Sequence, residues 1–129
     1  MPKDIPRRGD IFWAKLPLTA SQGSEQYGDR PVLVLSIDAI NSSLPIAVVV
    51  PLSERLHKAN NKYRIRIPES EKIQESGTAG CKGESLALTE QIRCISRDRL
   101  GDKRLARLTP SAVAAVESGV AYILGIPKP

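Results

Sequence analysis

Pro31-Val32-Leu33-Val34-Leu35-Ser36 and, after a short polar interval, Ile46-Ala47-Val48-Val49-Val50-Pro51 decide how this chain folds. Both runs are rich in β-branched residues and almost unbroken in apolar character. That pattern predicts strands covered on both faces, the second closed by Pro51. Upstream, Arg8-Gly9-Asp10 is a turn signal that leads into a strand, Ile11-Phe12-Trp13-Ala14-Lys15-Leu16. Pro17 to Asp29 is small and polar and reads as a long exposed loop. Downstream, Tyr63-Arg64-Ile65-Arg66-Ile67 alternates strictly, with Tyr63, Ile65 and Ile67 inward and both arginines outward. Those arginines, behind Lys58 and Lys62, read as the wet face of a half-exposed sheet, with a phosphate track as the other reading.

Glu69 to Gly83 is a second loop, and Glu84 to Arg93 holds a strand with Leu86 and Leu88 on one face. Ser96 to Gly101 has a cap residue and a terminator one helical turn apart, and Arg104 to Leu108 is a short strand. The tail carries the clearest helix. Thr109 caps it, Pro110 suits its first turn, and Val113, Val116, Val120, Ile123 and Leu124 form one apolar stripe. Gly119 within it costs about 1 kcal/mol relative to Ala, so the helix depends on packing. The stripe is core, with a seam between two copies as the second option. The expected architecture is mainly β with α (an α+β class): a small, strongly curved β barrel with a C-terminal helix, one domain over residues 1–129.

Composition narrows the function. The 129 residues carry 19 Lys+Arg against 14 Asp+Glu, a formal charge of +5. At 41% hydrophobic and 26% charged the chain is of the folded, soluble type. Neither G-x-G-x-x-G nor G-x-x-x-x-G-K-[ST] occurs, which removes the common nucleotide-binding loops. Cys81 and Cys94 make neither a disulfide framework nor a zinc site, and no metal or cofactor is expected. Cys94 reads as buried in a strand and Cys81 as lying in a loop open to oxidation. A single histidine, His57, beside Lys58, is expected to be exposed and excludes a His–His acid/base pair within one subunit. Aromatics at 4% argue against an extended base-stacking platform. No apolar run reaches a membrane span, the start lacks the apolar core of a signal peptide, and the expected compartment is the cytoplasm.

Five segments, taken in order, carry a resemblance: Arg8-Gly9-Asp10-Ile11-Phe12-Trp13, Gly23-Ser24-Glu25-Gln26, Arg30-Pro31-Val32-Leu33-Val34, Val50-Pro51-Leu52-Ser53 and Glu90-Gln91-Ile92-Arg93-Cys94-Ile95. In this spacing the chain resembles the MazF/PemK family of toxin endoribonucleases over most of its length. The resemblance implies an SH3-like barrel of the CcdB/PemK type and a homodimer. It also implies sequence-specific, metal-independent cleavage of single-stranded RNA, messenger RNA included, and neutralisation by a MazE-like antitoxin. The charge of +5 suits an acidic, disordered antitoxin segment that blocks the RNA surface. A CcdB-like poison that binds DNA gyrase shares the barrel, and Ile123-Leu124-Gly125-Ile126 is similar to such a tail. That reading leaves the G-S-E-Q and E-Q-I-R elements unexplained. A catalytically weakened RNA-binding barrel is the remaining alternative.

RNA is cut without metal when its 2′-OH attacks the adjacent phosphate, which requires a proton acceptor, a donor to the leaving oxygen and positive charge on the transition state. Arg30, where a polar loop enters a buried strand, offers a planar fork that matches two phosphate oxygens and stays charged. The resemblance maps a catalytic arginine onto it; a structural ion pair is the alternative. Ser53 stands where the family more often has Thr and keeps the hydroxyl that reaches a phosphate oxygen. Ser24, Glu25 and Gln26 are substrate-binding candidates in the first loop, and Glu90, Gln91 and Arg93 at a strand end. Glu25 and Glu90 are the carboxylates that could serve as base. A PemK-type variant pairing an acid with an arginine on this last strand is not carried over, because Leu88 fills the arginine's place.

Overall fold

A computed structural model describes residues 5–16 and 28–127. Strands β1 (Asp10–Leu16), β2 (Gly28–Val34) and β3 (Ile46–Ser53) form an antiparallel meander, interrupted by helix α1 (Asp38–Ser43). Then follow β4 (Arg64–Ile67), β5 (Lys72–Gln74), β6 (Ser85–Leu88), β7 (Arg93–Ser96), β8 (Ala106–Leu108) and helix α2 (Pro110–Leu124). Across the sheet the order is β4-β6-β3-β2-β1-β8-β5, with β7 also on β3. The strand following α1 therefore has two successive partners: β7 pairs with Ile46–Val49 and β6 with Leu52 and Ser53. Leu100 bridges back to Ala14 and bends the sheet into a nearly closed barrel. Among the described residues no helix is long and apolar enough to cross a membrane.

The unbroken apolar runs have a direct structural cause. Phe12, Ala14, Leu16, Val32, Val34, Ala47, Val49, Ile95 and Leu100 fill one core. The alternate residues Ile11, Leu33, Leu35, Val50 and Leu52 fill a second, together with Val116 and Ala112 of α2. Each strand of the meander feeds both, and every such side chain taken fully from water contributes roughly 1.5–3 kcal/mol.

Several expectations are corrected. β3 does not close at Pro51 but runs on to Ser53. Pro51 falls in the interval between the β7 and β6 pairings, where a residue without an N–H is tolerated. The stretch from Glu84 to Arg93 is not one strand, because a 3-10 turn over Thr89–Gln91 carries the chain around that interval. The Glu69–Gly83 loop contains β5, held by β8. The cysteines exchange roles, with Cys81 buried and Cys94 exposed on β7.

In α2, Thr109 accepts from the Ala112 N–H, Pro110 opens the first turn, and Gly125 ends the helix at φ +70°. Val116 is buried, but Leu124 lies at the exposed end of the stripe. Gly119 is a site of close approach: a Cβ there would lie 2.9 Å from Thr89 Cγ2. Its missing side chain lets α2 settle on the 3-10 turn and on Ile65. The short helix α1 is held by Asn41, fully buried, whose Nδ2 donates to the Ser36 carbonyl at 2.9 Å.

Candidate active site

The β2–β3 ladder stops at the Val32–Pro51 pair. Pro31, next in line, has no N–H with which to extend it. Past that stop a cleft of about 350 Å³ opens, walled by Asp29 to Pro31 on one side and Leu52 to Arg55 on the other. Carrying the register two steps beyond the last pair sets Arg30 against Ser53. The two residues assigned to catalysis from the sequence thus line one cleft.

Ser53 is half-buried, and its Oγ accepts from the Arg55 N–H at 3.1 Å. The local turn and a catalytic role are compatible, because a hydroxyl that accepts one bond still has its own hydrogen to donate. Arg30 is half-buried on β2, opposite Ala14 of β1. Arg55 and Lys82 add two cations to the wall against Asp29 and Glu54, so positive charge exceeds negative by one. That balance suits a phosphodiester.

Trp13 was not singled out as a binding residue. It is 46% exposed and lines both this cleft and a neighbouring one of about 550 Å³ that holds Lys15 and Arg99. The signal was present in β1, where Phe12 and Ala14 are buried and Trp13 and Lys15 alternate outward. Arg55 and Lys82 lie in polar segments with no pattern to mark them.

Glu90, Gln91 and Arg93 do not line this cleft. The Glu90 Oε2 accepts from Arg64 Nε at 2.9 Å and Nη2 at 2.5 Å, while its Oε1 is buried with no hydrogen-bond partner. Arg64, expected on a wet face, is therefore half-buried in an ion pair. Gln91 is half-buried in the 3-10 turn, and Arg93 lies opposite Val49 on β7. Ser24, Glu25 and Gln26 lie outside the described residues. His57 is exposed, as expected.

A larger hollow, about 850 Å³, lies elsewhere and is walled by Arg7, Asp10, Glu75, Arg104 and Arg107. Its charges are largely engaged with one another. Arg104 donates to Glu75 at 2.6 and 3.0 Å, and this bond above all raises its pKa beyond the ordinary arginine value. Arg104 and Arg107 also flank the buried Asp10. Among the described residues no three of His, Cys, Asp and Glu converge as a metal site.

Residues 7–124 match the family model described as "PemK-like, MazF-like toxin of type II toxin-antitoxin system". The chain is 34% identical over 120 residues to Endoribonuclease MazF of Staphylococcus saprophyticus, covering 93% of this chain and 92% of that protein. It is 37% identical over 99 residues to Endoribonuclease EndoA of Bacillus subtilis, covering 77% and 78%. The crystal structure of MazF from Deinococcus radiodurans superposes with a TM-score of 0.68 at 25% identity, over 94% of this chain and 97% of that one.

Proposed function

The chain belongs to the PemK-like, MazF-like toxins of type II toxin–antitoxin systems and is an endoribonuclease toxin, and from that premise we propose that it cuts single-stranded RNA in the cleft shared by Arg30 and Ser53. The nucleophile is the substrate's own 2′-OH. Its oxygen bonds to the adjacent phosphorus as the bond from phosphorus to the 5′-oxygen breaks. The 2′ proton leaves to a base and a proton reaches the departing oxygen. The products are a 2′,3′-cyclic phosphate and a 5′-hydroxyl, and no metal enters the balance.

Negative charge grows on the non-bridging oxygens as the new bond forms. Arg30 lies where a guanidinium fork can take two of them, and Ser53 offers a hydroxyl from the facing strand. Trp13 supplies an exposed aromatic face beside the phosphate position, and an unpaired base stacks well on such a face. The span carrying Ser24, Glu25 and Gln26 is anchored at both ends by the Leu16–Gly28 pair, two residues from Arg30, which supports their role in holding substrate. Glu25 is the carboxylate that this reading favours as base, since Glu90 is committed to Arg64. Gln91 and Arg93 are assigned to more distant nucleotides.

The toxin acts in the cytoplasm on messenger RNA. An acidic MazE-like antitoxin segment, drawn to the positive cleft, excludes RNA by occupying it. A second copy of the chain completes a homodimer, and exposed Tyr122, Leu124 and Ile126 at the end of α2 give it apolar surface to cover. The observation that carries this reading is the convergence of Arg30 and Ser53 in one cleft. Its test is digestion of single-stranded RNA in excess chelator, with sequencing of the 5′ ends. Discrete cuts with cyclic phosphate ends are expected from the wild type. Equal cutting by the Arg30→Ala variant would move the chemistry to another place.

A further inference from the structure

Lys72, on β5, is only 5% exposed. Its Nζ donates to the Gly83 carbonyl at 2.8 Å, to Ser85 Oγ at 2.7 Å and to Cys81 Sγ at 3.5 Å. An ammonium has three donors and no acceptor, so the set is complete. None of the three partners is a carboxylate. A buried cation held by neutral groups keeps its charge unneutralised locally, and its field extends into whatever lies in front of it. What lies in front is the cleft: Cys81 and Ser85 are both part of its wall.

Ser85 is the more informative partner. Its oxygen accepts from Lys72, so its own hydrogen must point away from the ammonium. Among the described residues nothing accepts that hydrogen. Ser85 immediately precedes Leu86, the residue paired with Ser53, so the two serines enter the cleft from adjacent strands. A cation bonded to a hydroxyl oxygen also draws electron density from its O–H and makes it a stronger donor.

We propose that Lys72 positions the Ser85 hydroxyl as a donor to a non-bridging oxygen of the RNA phosphate held by Arg30 and Ser53. Ser85 touches substrate, whereas Lys72 acts through it. The inference rests on reading this cleft as the site of RNA cleavage. Chemically the dyad is one arm of an anion hole. Its bond strengthens as charge accumulates on the phosphate oxygens, so it affects turnover more than ground-state binding.

The test uses the full chain and a single-stranded RNA oligonucleotide spanning a mapped cut site. Ser85→Ala is expected to lower kcat by roughly 100-fold with little change in KM, as loss of one such donor does. Lys72→Met is expected to lose about as much, and the double variant no more than either, because the pair acts as a unit. Sulfur in place of one of the two non-bridging oxygens should slow the wild type and leave Ser85→Ala indifferent; a structural role for Ser85 would not produce that difference. If Ser85→Ala melts below the assay temperature, the double variant, which removes the buried charge along with its acceptor, takes its place in the sulfur comparison. Full cutting by a folded Ser85→Ala, additive losses, or a sulfur effect that survives the substitution would each overturn the dyad. Loss of cutting in Arg30→Ala beside full cutting in Ser85→Ala would sink the dyad alone. Full cutting in both would remove the cleft reading as well.

Discussion

Arg30 and Arg64 are both strand arginines, both half-buried, and each had a phosphate-facing reading in the sequence. Their surroundings separate them. Arg64 has Nε and Nη2 on one oxygen of Glu90, an arrangement that satisfies the guanidinium from within the fold and helps hold the 3-10 turn beneath α2. Arg30 stands where two prolines stop a ladder, in a wall with two further cations and the hydroxyls of Ser53 and Ser85. The difference teaches that backbone interruption, more than residue type, decides which arginine meets substrate. Strands that stay paired bring side chains to one another, and strands that part leave them facing a cleft.

The largest effect should come from Arg30. Arg30→Ala is expected to lower cutting by about 1,000-fold or more, the scale of losing an arginine that stabilises phosphoryl charge, with an unchanged melting temperature. Arg30→Lys should recover little, because an ammonium lacks the fork. A variant that loses its fold along with its activity would make Arg30 resemble Arg64, and the comparison would fail.

Trp13→Ala comes next. One base–aromatic stack is worth about 1–3 kcal/mol, so affinity for an RNA carrying a 2′-deoxy sugar at the cut site should fall roughly 5- to 150-fold. Unaltered affinity would confine recognition to other walls of the cleft.

Glu90→Gln tests the other member of the comparison. The pair is partly solvated, with side chains 26% and 21% exposed, so a loss of only about 1 kcal/mol in stability is expected. Cutting per folded molecule should be unchanged. A collapse of kcat with the fold intact would return Glu90 to duty as the base and break the distinction drawn here.

Periodicity made the barrel legible. The meander, the capped 3-10 turn after Ser96 and the C-terminal helix all follow patterns of apolar residues and caps that local physics enforces. What escaped was set by distant partners. Six residues of α1 are too few to show a helical period, and they are held by the bonds of Asn41 to Ser36. Gly119 looked like a defect because the side chain it makes room for, that of Thr89, lies far away in the chain. Cys81 and Lys72 bury one another only once β5 has found β8. At the site, Arg30 and Ser53 could be named because a motif flanks each. Ser85 and Trp13 needed the register that sets them beside those two.

The smallest expected effect concerns a carboxylate engaged purely within the fold, as Glu90 is. The Glu71 Oε1 accepts from the hydroxyls of Thr109 and Ser111 at the start of α2, and these bonds, that of Thr109 foremost, lower its pKa from the usual 4.5. A carboxyl whose folded pKa lies below its unfolded value adds stability above the unfolded value. That stability is lost as pH falls through the folded value. Glu71→Gln should therefore melt slightly below the wild type at neutral pH, with the gap closing on acidification below 4.5. RNA cutting at neutral pH should not change, since the residue is no part of the cleft wall. Thermal melts of both proteins at pH about 7 and about 3 decide the point. A gap that persists in acid would mean that these hydroxyls hold the neutral acid as well as the charged one, leaving the carboxylate's charge without a part in anchoring the helix.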